Sequence, residues 1–212
     1  MYDTRTNFVL GFHGCEMQVR DALLTTPDVI RKSEEPFDWL GHGMYFWENN
    51  GQRAMEFALD KKSRGKIKEP AIIGSVLQPG YCCDFLDSRF IQLLVPYYKI
   101  LKDKYEKLGK PLPRNQDVIS DKNGDKLLRH LDCAVIELMH SEIEKEYKKD
   151  KTAKGYSELK IFDSTRGAFM EGGPVFEGAG ISRKGHIQIC IRNSNCIKGF
   201  FLPRKEIEFL PT

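Results

Sequence analysis

Short apolar runs closed by glycine alternate along the chain with stretches whose apolar residues recur at helical spacing. Residues 7–13 (Asn-Phe-Val-Leu-Gly-Phe-His) read as a short strand ending in a His-Gly pair. Met17, Val19, Leu23 and Leu24 recur at loose helical intervals, so residues 16–32 read as a helix limited by Pro27. A loop rich in acidic residues and glycine follows over 33–43. Met44, Tyr45, Phe46 and Trp47 form a second apolar strand, and Asn49, Asn50 and Gly51 punctuate it. Residues 52–61 read as a helix with Ala54, Phe57 and Ala58 inward. Residues 71–77 are a third strand, stopped by Pro79 and Gly80.

The middle of the chain is helical and charged. Residues 90–108 carry Leu93, Leu94, Tyr97, Ile100 and Leu101 at helical intervals, with Pro96 expected to kink or split the run. A turn at 121–124 leads into the longest expected helix. Its apolar stripe is Leu127, Leu131, Val135, Leu138 and Met139, and its end, 142–151, is solvated. Strands are expected again at 159–162, 186–191 and 207–209, with a glycine-rich loop over 171–180 before the middle one. Strands and helices mix without repeating βαβ units, so the pattern predicts an α+β fold and not a doubly wound sheet.

Composition bounds this picture. A chain of 212 residues, 41% hydrophobic, buries roughly 70% of its unfolded surface and forms one core without metal or disulfide staples. One domain over 1–212 is expected, with a helical insertion at about 86–155. The 33 basic and 30 acidic side chains leave a net charge of +3, too small for a histone-like nucleic-acid binder but compatible with a local basic patch. No apolar run approaches the length of a membrane span, about 18 residues or more. The first residues (MYDTRTNFVLGFHG) lack the basic and apolar regions of a secretion signal. The scattered cysteines, Cys15, Cys82, Cys83, Cys133, Cys190 and Cys196, read as reduced thiols of a cytoplasmic protein. They and the five histidines form no zinc-ligand spacing, so no metal is expected.

Three segments set polar or ring-bearing groups beside glycine at strand ends. Gly11-Phe12-His13-Gly14 lets a ligand approach the backbone while an imidazole offers a hydrogen bond. Gly41-His42-Gly43-Met44-Tyr45-Phe46-Trp47 is the second. In isolation each also reads as an ordinary strand of the core. In the third, Gly185 to Ile191, strict alternation puts Ile187, Ile189 and Ile191 on one face and His186, Gln188 and Cys190 on the other. Apolar residues on both flanks imply a central strand whose polar face looks into a cleft or makes a hydrogen-bonded structural pair.

In this order, the three segments resemble the catalytic core of ADP-ribosyltransferases, closer to the histidine-tyrosine-glutamate branch than to the arginine-serine-glutamate branch. Phe12-His13-Gly14 is similar to the branch's His-Gly strand, and Gly41 to Phe46 to its Gly-x-Gly-aliphatic-Tyr-Phe strand. The helix with Ala54 and Phe57 resembles the one that supplies a second ring. Ile73 to Gly80 is similar to the next strand, and Val175 to Ser182 to the glycine-rich loop before the third motif. The likeness covers about 7–85 and 160–203. It implies a split, mostly antiparallel sheet, NAD as cosubstrate and cleavage of the nicotinamide–ribose bond through an oxocarbenium-like state similar to that of glycoside hydrolysis. By resemblance Tyr45 stacks on nicotinamide, Phe57 closes the other side, the Gly14 backbone binds the carboxamide and His13 bonds a ribose hydroxyl. Phe46 counts with the NAD-binding residues.

The chain departs from the pattern at the catalytic glutamate. His186 takes that position, with Gln188 next on the same face, and neither supplies an anion. Several relatives without this glutamate transfer single ADP-ribose units and do not build chains, which implies mono-ADP-ribosylation. Glu171 or Glu177 would restore a carboxylate, unless both are exposed loop charges. Arg166 would pair with the NAD phosphates or lie in a surface ion pair.

The basic run Lys61, Lys62, Arg64, Lys66 and Lys68, together with Arg183 and Lys184, fits a phosphate-bearing acceptor or a solvated loop. The likeness to bacterial toxin-type members favours RNA over protein as acceptor, a role in antiviral defence and a neutralising antitoxin as partner. Two alternatives stand beside this: an NAD-dependent RNA 2′-phosphotransferase and a non-catalytic NAD or ADP-ribose reader.

Overall fold

The computed structural model of the chain describes residues 4–5, 8–118 and 122–204. Its strands are β1 (Thr4–Arg5), β2 (Val9–Glu16), β3 (Met44–Glu48), β4 (Pro70–Leu77), β5 (Gly80–Asp84), β6 (Asn115–Gln116), β7 (Leu128–Arg129), β8 (Ser164–Phe169), β9 (His186–Ile191) and β10 (Ile197–Phe201). The helices are α1 (Met17–Thr25), α2 (Gly51–Ser63), α3 (Ser88–Lys107) and α4 (His130–Lys154). Eight strands form one mixed sheet in the order β1-β5-β8-β9-β3-β2-β4-β10, and β6 and β7 make a separate two-stranded ribbon. Among the described residues of the large sheet, only β5 and β8 pair in parallel. The fold is α+β, as the hydrophobic pattern predicts.

Alternation along the strands builds two different faces. Met44, Phe46, Ile189 and Ile191 turn to one face, where they pack with Cys15, Ile73, Leu77 and Leu23 of α1 as the main core. Burying each such large side chain stabilises the fold by about 1.5–3 kcal/mol. Tyr45, Trp47, His186, Gln188 and Cys190 turn to the other face. There α2 lies against β2 so closely that a Cβ on Gly14 would stand 2.1 Å from the Ala54 carbonyl oxygen. Asn50 caps α2 by accepting from Arg53 N–H at 3.0 Å, and Lys61 and Lys62 sit in its last turn, where cations suit the helix dipole.

The helical segment of α3 and α4 packs onto the sheet. Ile136 and Met139 of α4 join Cys83 of β5 and Phe162 in a second core, flanked by Phe90, Leu93, Leu94 and Tyr97 of α3. Pro96 does not split α3. It lies on the exposed side together with Gln92, the residue whose carbonyl the missing Pro96 N–H leaves without its helical partner. The strand expected at 159–162 forms at 164–169 instead. Its polar side chains are matched one by one: Ser164 donates to Pro79 C=O at 2.7 Å, Thr165 meets His140 at 3.4 Å, and Arg166 binds two carboxylates. The helix expected over 16–32 ends at Thr25, and 27–29 form a single 3₁₀ turn after it. The pattern does not predict β5, β10 or the two-residue strands β1, β6 and β7. The strand expected at 207–209 lies outside the described residues.

Candidate active site

The sheet opens between its two central strands. β2 and β3 pair only at Gly11–Glu48 and Phe12–Trp47. β2 continues along β4 as far as Glu16–Pro70, and β3 continues along β9 as far as Met44–Ile191. Asn49 N–H donates to Leu10 C=O at 2.9 Å, which shows that the even residues of β2 aim their backbone groups at β3. Gly14 therefore points its N–H and C=O into the opening, two residues past the last pair.

His13 and Tyr45 stand on the two lips. His13 Nδ1 lies 2.8 Å from the Tyr45 carbonyl. A carbonyl only accepts, so Nδ1 carries the proton and Nε2 keeps a free lone pair. Burial drives the pKa of His13 down to about 4; the nearby Lys61 charge pushes the same way, and the bond to Tyr45 opposes both. At neutral pH the ring is an uncharged hydrogen-bond acceptor. The Tyr45 hydroxyl donates to Gly41 C=O at 2.8 Å and accepts from Leu40 N–H at 2.9 Å. Burial holds its pKa well above the ordinary phenol value. Since the hydroxyl is used by the 40–41 turn, Tyr45 has its ring to offer a ligand.

The polar face of β9 is largely occupied. Trp39 Nε1 donates to Gln188 Oε1 at 2.6 Å, and its ring edge meets Phe169 at 4.9 Å. Gly167 makes this crossing feasible, because a Cβ there would stand 2.9 Å from the indole. Cys190 Sγ lies 3.3 Å from Gly41 C=O. His186, at the start of the strand, sits between Trp47 at 6.1 Å and Phe169 at 5.8 Å. Its Nδ1 donates to Lys184 C=O at 2.8 Å, and burial lowers its pKa, so it too is neutral.

Glu171 and Glu177 part company. Glu171 Oε1 is bound by Arg53 of α2 and lies 3.9 Å from His186 Nδ1. Burial raises the Glu171 pKa, against the pull of Arg53 and Lys184. Glu177 is exposed further along the loop. Phe57 stacks at a tilt on Trp47 at 4.9 Å, and Lys61 Nζ stands 4.6 Å above its ring.

Two expected NAD ligands are committed elsewhere. Phe46 is wholly buried in the main core, on the opposite face from Tyr45. Arg166 gives Nε and Nη2 to Glu48 at 2.6 and 3.0 Å and Nη1 to Asp84 at 3.1 Å. With 9% of its surface exposed, it is a structural cation tying β8 to β3 and β5. Alternation accounts for both corrections, since positions 46 and 166 point to the core face.

Several residues of the site escaped the sequence pattern. Trp39 enters through a loop of no clear periodicity, and no local signal marks it. Arg53 precedes Phe57 by one helical turn, a spacing that places both on one face. Glu137 of α4 accepts from His42 N–H at 2.8 Å and binds Arg192, whose Nη1 donates to His42 C=O at 3.0 Å. The insertion thereby fixes the Gly41-His42-Gly43 loop. Among the described residues, the buried side-chain polar atoms without a hydrogen-bond partner are Trp47 Nε1, Arg53 Nε and Arg129 Nε. All three gather round His186: Trp47 by ring contact, Arg53 through Glu171, and Arg129 through its 4.8 Å cation–π contact with Phe169.

Two open concavities, of about 360 and 380 Å³, lie apart from this arrangement. Tyr81, Tyr147 and Lys160 border one; Pro27, Lys32 and Phe200 border the other. Neither includes His13, Tyr45 or His186. Residue chemistry, and not cavity size, singles out the opening between the strands. No protein-family model matches the chain, and no curated protein or solved structure matches it.

Proposed function

We propose that the chain is a mono-ADP-ribosyltransferase that cleaves the nicotinamide–ribose bond of NAD and passes ADP-ribose to a macromolecule, RNA being favoured over protein. The observation that carries the reading is the opening beyond Phe12–Trp47, into which Gly14 aims its backbone donor and acceptor, with a neutral His13 bonded across it to the Tyr45 carbonyl and the Tyr45 ring on the face that α2 covers. A carboxamide needs one donor and one acceptor held side by side, and a flat ring needs an apolar wall. His13 Nε2 accepts from a ribose hydroxyl and fixes the sugar. As the C1′–N bond breaks, its electron pair leaves with neutral nicotinamide, and positive charge develops on the ribose. Glu171, beside His186, supplies the carboxylate for that charge. The acceptor's nucleophilic atom then bonds to C1′ and gives up its proton to solvent.

Incubation of the protein with adenine-labelled NAD and a cell lysate, divided by ribonuclease or protease, tests the reading. Nicotinamide release, with label that survives protease and is lost to ribonuclease, is the expected result. His13→Ala and Tyr45→Ala are expected to lower the release at least 100-fold. NAD binding without any release identifies a reader, and release that requires 2′-phosphorylated RNA identifies a phosphotransferase.

A further inference from the structure

Glu171 belongs to a stretch that secondary structure does not hold in place. It follows the end of β8, and Gly172 and Gly173 beside it have φ of +85° and +67°. Three tethers substitute. Lys184 N–H donates to Glu171 C=O at 2.9 Å, Gly172 N–H donates to Asp125 Oδ2 of the insertion at 2.8 Å, and Arg53 binds the carboxylate itself. Only the last acts on the side chain.

Arg53 is well placed for this. Its backbone is fixed by the Asn50 cap, one terminal nitrogen binds Glu56 and the other binds Glu171. The two partners of the Arg53–Glu171 pair keep only 13% and 16% of their side-chain surface, so water screens the attraction weakly. Its Nε has no partner, which leaves one donor unused while the carboxylates are held. We propose that Arg53 is the positioning residue that brings a loop carboxylate, Glu171, to His186, and so joins α2, which packs on Gly14, to the 171–185 loop. This rests on the transferase reading with Glu171 as its carboxylate.

The groups facing Glu171 are Arg53 and Glu56 from α2, Lys184 from the far side of its loop, His186 from β9 and Asp125 from the insertion. Lys184 is exposed and His186 is neutral, so Arg53 is the main cation that favours the ionised carboxylate. Without it, Glu171 holds its proton to higher pH.

The test follows nicotinamide release by the full chain across pH for the wild type, R53Q, R53K and E171Q. E171Q is expected to lose about 100-fold. R53Q is expected to lose about tenfold in kcat and to move the acid limb of the profile up by about one pH unit; R53K, which keeps the cation, leaves the limb close to wild type. An R53Q limb that coincides with wild type while E171Q is inactive overturns the role of Arg53 and leaves the transferase reading intact. Full activity in E171Q overturns Glu171 as the carboxylate. A wild type that releases no nicotinamide overturns the transferase reading, and the tether is then read separately from the ¹³C titration of the Glu171 carboxyl. An unchanged titration in R53Q overturns the tether as well.

Discussion

Burial holds three histidines as neutral rings, and of these His13 and His140 are shifted furthest. Burial is the first cause in both, taking His13 down to about 4 and His140 to about 3; the Arg192 charge also opposes a proton on His140. The unfolded chain binds those protons more readily, so stability rises with pH wherever the unfolded histidines are still protonated. Full stability is present above pH 6.5 and is lost as the pH falls toward the folded-state values. At pH 5 each histidine removes on the order of 2 kcal/mol, and urea unfolding between pH 7.5 and 5 should register both. His140→Leu, which removes one of these titrations, should flatten the dependence by up to about half; an unchanged slope would show that His140 is charged in the fold. The sequence marks His13 by its glycine neighbour. It gives no sign of His140, whose burial depends on Thr165 of β8, 25 residues away.

At the level of elements, legibility follows local pattern. The strands with consistent apolar runs, at β3, β4 and β9, lie where the pattern predicts them, and β2 runs three residues past its predicted end, to Glu16. β8 forms several residues past the position the pattern predicts, because Ser164, Thr165 and Arg166 look like loop residues until their partners on other elements are known. The alternation of β9 likewise marks His186 and Gln188 as one face, but it cannot show that Trp39 would cover Gln188. Close packing gives Gly14 a second duty besides exposing its backbone. Gly14→Ala should displace α2 from β2 and destabilise the fold by about 2 kcal/mol, within the range for overpacking. Gly180→Ala, which meets nothing within 4 Å, should change stability by less than about 0.5 kcal/mol. Equal denaturation midpoints for the two variants would remove the close helix–strand contact from the account.

Across the whole molecule, the helical segment that carries α3 and α4 is what holds the Gly-His-Gly loop. α4 reaches that loop through Glu137, and its apolar stripe fills the second core. The stripe was visible as helical spacing; its destination was not, because nothing in a periodic pattern names the surface it will cover. Glu137→Ala should cost about 2–3 kcal/mol, since it strands Arg192 and the His42 N–H together. It should also slow nicotinamide release although Glu137 touches no proposed substrate position. A melting temperature equal to wild type would show that the loop holds itself.

The six free cysteines, all buried, give the molecule a chemical clock. Desolvation comes first in raising each resolved thiol, to about 11 for Cys15 and Cys196 and about 12 for Cys133. Only the thiolate reacts, so a folded chain at neutral pH is close to inert toward alkylating reagents, and modification waits for an opening event. The thiols are spread over β2, β5, α4, β9 and the turn before β10. The order in which they are alkylated would therefore time, from one unlabelled sequence, which half of the sheet loosens first.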